Sequence, residues 1–153
     1  MSFLLLLSEE KLEEIVSILP KYEDKIDRAE KIFEIEGIKL EEIIRTLPSY
    51  QASYDQSFHE MKALEAWLEN IKEKRVAKFW KKYNEGYSRA LSTRDIQSYI
   101  AGEKDIVEMN QIIIEVLLIK NKLFSIVEAI KQMGWMVGHV TKLRVSELQD
   151  VIL

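Results

Sequence analysis

The chain has 153 residues, 47% hydrophobic and 31% charged, with 22 Lys/Arg against 26 Asp/Glu and a formal net charge of −4. This length and apolar content suit one domain, or one domain with an arm, around a real core, and they exclude whole-chain disorder. Zero cysteines exclude a disulfide scaffold, thiolate catalysis and Cys-based zinc sites, and fit a reducing compartment.

Five Gly and two Pro leave long stretches without a helix breaker, so the expected fold class is all-α. The start, MSFLLLL, has an apolar run of five residues, no basic residue before it and Glu9–Glu10 just after it, which argues against an export signal. An internal repeat follows. Residues 11–22 (KLEEIVSILPKY) and 39–50 (KLEEIIRTLPSY) share eight of twelve positions at an offset of 28. In each copy a short amphipathic helix is expected to end at Pro20 or Pro48, because the proline ring disfavours helical geometry in the residue before it. Two copies are too few for a solenoid, so residues 1–48 read as a helical arm or protomer–protomer hook. The arm is acidic, with twelve Asp/Glu against seven Lys/Arg.

Residues 49–153 read as the main helical domain. From Ser49 to Glu85 nothing breaks a helix, and Tyr54, Phe58, Met61, Leu64, Trp67, Leu68 and Ile71 recur at three- and four-residue steps. Gly86 is the expected terminator. Ser92 and Asp95 form a capping-box pattern with Asp in place of Glu, opening a short helix that carries Ile96, Tyr99 and Ile100 and stops at Gly102. A second long helix is expected over Glu103–Met133, closed by Gly134, with one more short helix in the tail. Its middle is apolar around more of its circumference than one partner helix covers, which points to burial against copies of the same chain. The residues expected at that self-interface are Ile112, Ile113, Val116, Leu117, Ile119, Leu123, Trp135, Leu143 and Leu148. Charged residues interrupt the most apolar stretch, so no membrane span is expected.

Charge is segregated. Residues 72–94 (KEKRVAKFWKKYNEGYSRALSTR) hold eight Lys/Arg against two Glu, leaving −10 for the rest of the chain. Phe79, Trp80, Tyr83 and Tyr87 sit among these cations. Cations attract phosphates and rings stack bases without sequence preference, so the block suits a flexible single strand. The plainer alternative is that the rings are core and the lysines a solvated face. On a helix Arg75, Lys78 and Lys82 share a face with Lys74 and Lys81 beside it. Tyr87, Arg89 and Arg94 extend the pattern beyond the helix end, where core packing does not require it. The candidate nucleic-acid residues are therefore Lys74, Arg75, Lys78, Trp80, Lys81, Lys82, Tyr83, Tyr87, Arg89 and Arg94.

Catalytic chemistry has no visible support. Five dispersed glycines form no phosphate-binding loop. His59 and His139 lie 80 residues apart, neither with a Glu three residues before it, so the Glu-x-x-His pattern of di-iron bundles is missing. The carboxylates fall in Lys-Glu-rich helical stretches whose solvated faces account for them. No enzyme, metal or cofactor is expected.

The segment from about Leu47 to Met136 resembles the UvsY-type phage recombination mediators. The matching features are Leu47, Pro48 and Tyr50, then KALE (Lys62–Glu65) in a long helix. Next come Lys78, Lys81, Lys82, Tyr83 and Gly86, followed by Leu91, Ser92 and Tyr99. Lys104, Asp105 and Ile106 start the second long helix, and Gly134, Lys142 and Arg144 complete the order. The resemblance implies a non-enzymatic protein that forms small closed homo-oligomers and binds single-stranded DNA. It also implies partners: a RecA-like recombinase and a single-strand-binding protein, in the cytoplasm of an infected host cell. By carry-over the DNA-binding positions are Lys78, Lys81, Lys82 and Tyr83. Trp80 departs from the pattern, which favours a second basic residue there. The acidic arm is a further departure, better suited to a protein partner or to masking a neighbour's basic face. The competing readings are a structural helical protein, such as a virion component or adaptor, and a protein-binding inhibitor.

Overall fold

The computed structural model describes residues 12–150, with side-chain surroundings through residue 147. The MSFLLLL start, Leu148 and the last three residues lie outside that description. Among the described residues there are five helices and no strand. They are α1 (Leu12–Asp27), α2 (Glu30–Phe33), α3 (Leu40–Glu85), α4 (Thr93–Ala101) and α5 (Lys104–Asp150). The expected all-α class, with two long helices, is what the chain adopts.

The prolines do not end helices. Pro20 lies inside α1 and Pro48 inside α3. A helical proline frees the carbonyl four residues before it, here that of Val16 or Ile44. Both residues are at least 40% exposed and both prolines are exposed, so water can hydrate the freed carbonyls and the helices continue. The expected boundary at residue 48 consequently falls inside α3. The two repeat copies bury the same positions: Ile15 and Leu19 in the first, Ile43 and Leu47 in the second. They diverge at the final tyrosine, since Tyr22 is buried and Tyr50 is 42% exposed. Between the copies the chain turns at Gly37, whose φ of 77° lies in the left-handed region that favours glycine.

The tail is not a separate helix. α5 passes through Gly134 and Gly138 without interruption to Asp150. A glycine inside a helix costs about 1 kcal/mol relative to alanine. Met133 and Val137, on either side of Gly134, are both buried, and their burial outweighs that cost.

Packing divides the chain into two compact units. The first combines 12–19 with Glu60–Ile119, and the second combines Pro20–His59 with 120–150. In the first unit α3 contributes Met61, Leu64, Leu68 and Ile71 to the core, and α5 contributes Ile106, Met109, Ile113, Val116 and Ile119. These positions step mostly by three and four residues, the spacing of a seam between paired helices. In the second unit Ile43, Leu47, Tyr54, Leu123, Val127, Ile130, Met133 and Val137 are buried. Phe58 meets Phe124 there at 5.4 Å between ring centroids. Ser57, a buried polar residue, is satisfied by Lys25 Nζ at 2.7 Å; the same ammonium donates to the Ser53 carbonyl and hydroxyl, each at 2.8 Å. Lys25 and Ser53 lie three residues past the ends of the two repeat copies, at the same offset of 28.

Candidate nucleic-acid interface

The basic residues belong to the first unit and gather at the end of α3. That helix ends at Glu85, and Gly86 permits the exit because the backbone there leaves no room for a side chain. A Cβ on Gly86 would stand 2.5 Å from the Lys82 carbonyl oxygen, which instead accepts the Gly86 N–H at 3.0 Å. The chain then returns through α4, whose start is capped by Ser92: its hydroxyl accepts the Asp95 N–H at 3.2 Å and donates to the Asp95 carboxylate at 2.6 Å. Asp95 thus supports the cap through the serine hydroxyl. Ile96 and Ile100 of α4 and Ile106 of α5 form a small buried cluster, against which Val76, Phe79, Trp80, Tyr83 and Leu91 pack.

That packing turns the cations of α3 outward. An open groove of about 890 Å³ is lined by Arg75, Lys78, Phe79, Lys81, Lys82, Glu85, Gly86 and Asp105. Lys74, Arg75 and Lys78 border a smaller hollow of about 170 Å³ with Ile71. Five of the ten sequence-derived candidates, Lys74, Arg75, Lys78, Lys81 and Lys82, therefore lie on one continuous stretch of surface. Arg89 and Arg94 are exposed but line neither hollow. Trp80 is half-buried on the isoleucine cluster, so packing accounts for its place among the lysines.

Tyr83 has a different role from its neighbours. Its hydroxyl donates to Glu103 Oε1, an oxygen that also lies 3.6 Å from Lys82 Nζ. The hydrogen bond to Glu103, with burial and then the nearby carboxylate charge behind it, pushes the phenol up to about 12. Lys82 Nζ also stands 5.4 Å from the Tyr83 ring centre and 5.6 Å from that of Phe79, within cation–π range. Local spacing carries no sign of Glu103 or Tyr99 at this place, because each reaches Tyr83 from more than a dozen residues away. Phe79, Glu85, Gly86 and Asp105 likewise join the groove without having stood among the candidates.

The residues expected at a self-interface separate into two groups. Ile113, Val116, Ile119 and Leu123 are buried in the chain's own core and leave nothing for a second chain to touch. Ile112 is half-buried, whereas Leu117, Trp135 and Leu143 are exposed, Trp135 by 79%. Beside Leu117, Ile114 and Leu118 are 63% and 54% exposed, a large apolar surface for one helix face.

No protein-family model matches the chain, and no curated protein matches it by sequence. Solved structures do. Two crystal forms of the bacteriophage T4 recombination mediator protein UvsY superpose with TM-scores of 0.70 and 0.71, at 16% and 15% identity. Each match covers 82% of this chain and at least 96% of the UvsY chain. The fold is UvsY-like. On this UvsY-like framework the basic groove is built by the turn from α3 through α4 into α5. Among the described residues no three His, Asp or Glu side chains converge to hold a metal ion, and no helix is long and apolar enough to cross a membrane.

Proposed function

We propose that the chain is a recombination mediator. In this reading it binds single-stranded DNA and helps load a RecA-like recombinase onto DNA covered by single-strand-binding protein, in the cytoplasm of an infected host cell. It performs no catalysis and needs no cofactor. The observation that carries the reading is the run of outward-facing cations, Lys74 to Lys82, around an open groove on a fold shared with a recombination mediator.

Mechanistically, the groove holds phosphates while the half-buried rings behind it keep the lysines pointing outward. A single copy with about six cationic contacts binds weakly at physiological salt. Self-association through the exposed Ile114, Leu117, Leu118, Trp135 and Leu143 presents several grooves to one strand. Effective concentration then multiplies modest affinities without new contacts. The strand so held is withdrawn from single-strand-binding protein and offered to the recombinase. Glu85 and Asp105 within the groove lining weaken its pull on polyanions in general, which leaves room for the strand to be passed on.

The test is binding of a labelled single-stranded oligonucleotide at several salt concentrations. The expected logarithmic salt slope is about −4, from about six phosphates at about 0.7 each. Lys78→Ala/Lys81→Ala/Lys82→Ala should remove most of the affinity while the mass measured by light scattering stays unchanged. Absence of binding by the unaltered chain, with assembly intact, overturns the mediator reading in favour of a structural helical protein.

A further inference from the structure

We propose that Tyr87, Tyr83 and Tyr99 form a stacking platform for the nucleobases of the strand whose phosphates occupy the basic groove. The proposal rests on the single-strand reading above and adds the half of the site that grips bases. The three rings come from separate places in the chain: Tyr83 from α3, Tyr87 from the turn after it and Tyr99 from α4. They nevertheless lie nearly parallel. Tyr83 and Tyr87 have centroids 5.9 Å apart with planes 24° from parallel, and Tyr83 and Tyr99 are 5.6 Å apart at 25°.

Core packing does not explain this arrangement. Tyr87 is 54% exposed and Tyr99 50% exposed, so the outer members of the stack leave much of their surface in water. The central ring is fixed from two directions. It packs against the Ile96, Ile100 and Ile106 cluster, and its hydroxyl is held by Glu103. A ring that is already immobilised loses little freedom when a base lies against its stack.

Lys82 links the two halves of the site. Its ammonium lines the groove and also stands over the Tyr83 ring. A strand with phosphates on Lys78, Lys81 and Lys82 is thereby led toward the tyrosines. Ring faces accept every base, so the platform contributes affinity without sequence preference. Tyr99 is the new residue in this assignment, and Phe79 and Trp80 are left to packing.

The experiment compares oligothymidylate with an abasic strand of equal length, which keeps the phosphates and lacks the bases. Fluorescence anisotropy should show the unaltered chain binding oligothymidylate about tenfold more tightly, the lower part of the range for one or two stacked bases. Tyr87→Ala/Tyr99→Ala should bring that ratio close to one while abasic affinity stays the same. Tyr87→Phe/Tyr99→Phe should keep the ratio, and it serves as the folded control. Equal binding of both strands by the unaltered chain overturns the platform and leaves the groove standing. So does a ratio that survives in the double alanine variant. Failure of both strands to bind overturns the groove reading itself.

Discussion

Two grooves of similar size carry opposite chemistry. The groove of the first unit, about 890 Å³, is walled by Arg75, Lys78, Lys81 and Lys82. That of the second, about 780 Å³, is walled chiefly by Phe33, Ile35, Ile38, Leu40, Ile43, Met133, Met136, Val137 and Val140, with Lys39 and Arg144 among them. The difference lies in what each lining contributes to the fold. Ile43, Met133 and Val137 are themselves core residues, so the apolar groove is the outer edge of a core. Lys78, Lys81 and Lys82 are exposed and sit over a core made by other residues. The buried lining residues of the second groove, Ile43, Met133 and Val137, therefore set stability, and the exposed lysines of the first are free to set binding.

The largest test of that contrast is Ile43→Ala. Urea denaturation should show a loss of about 2–5 kcal/mol, as for other large-to-small core changes, with no change in affinity for single-stranded DNA at a temperature where the variant is folded. The triple lysine variant is its mirror: affinity falls while stability stays within about 0.5 kcal/mol for each exposed site. A stability loss in the lysine variant comparable to that of Ile43→Ala breaks the contrast.

A smaller effect separates two glycines that look alike in sequence. Gly86→Ala forces a Cβ against the Lys82 carbonyl and should destabilise the chain by more than about 1 kcal/mol. Gly134→Ala meets nothing within 4 Å inside a continuous helix and should stabilise it by about 1 kcal/mol. Thermal melts of the two variants, moving in opposite directions, check both.

The smallest effect is a pH limb. The Tyr83 phenol has its folded value raised above 10, to about 12, so the neutral form is favoured by folding. Its contribution to stability is fully present below about pH 10 and is lost as pH rises through about 12. Tyr83→Phe should remove that contribution, making the difference between the two chains' stabilities shrink from pH 10 to 12. A difference that stays constant across that window shows that Glu103 does not hold the hydroxyl in solution.

Much of this architecture was legible where local chemistry decides it. The stripe from Tyr54 to Ile71 marked the buried face of α3, although Ser57 takes a buried place and Phe58 and Trp67 only partly do. Gly86 and Ser92 marked helix ends because a close backbone approach and a capping hydroxyl act within a few residues. Pro20, Pro48 and Gly134 misled for the same reason: their costs are local, whereas helix continuity depends on burial and hydration along the whole element. The lysine face could be read from helical spacing alone. Its aromatic partners could not, because spacing does not distinguish Trp80 resting on isoleucines from Tyr83 meeting Tyr99 and Glu103.

The prolines of the repeat also carry a kinetic meaning. A helix lacking one rung of its hydrogen-bond ladder has less to break before it breathes at that point. Pro20 and Pro48 place this weakness one residue after Leu19 and Leu47, the leucines that each copy buries. Amide deuteration should therefore begin in the turns flanking the two prolines, well ahead of the stretch from Met61 to Ile71. Opening of the chain then starts at the same sequence position in both copies.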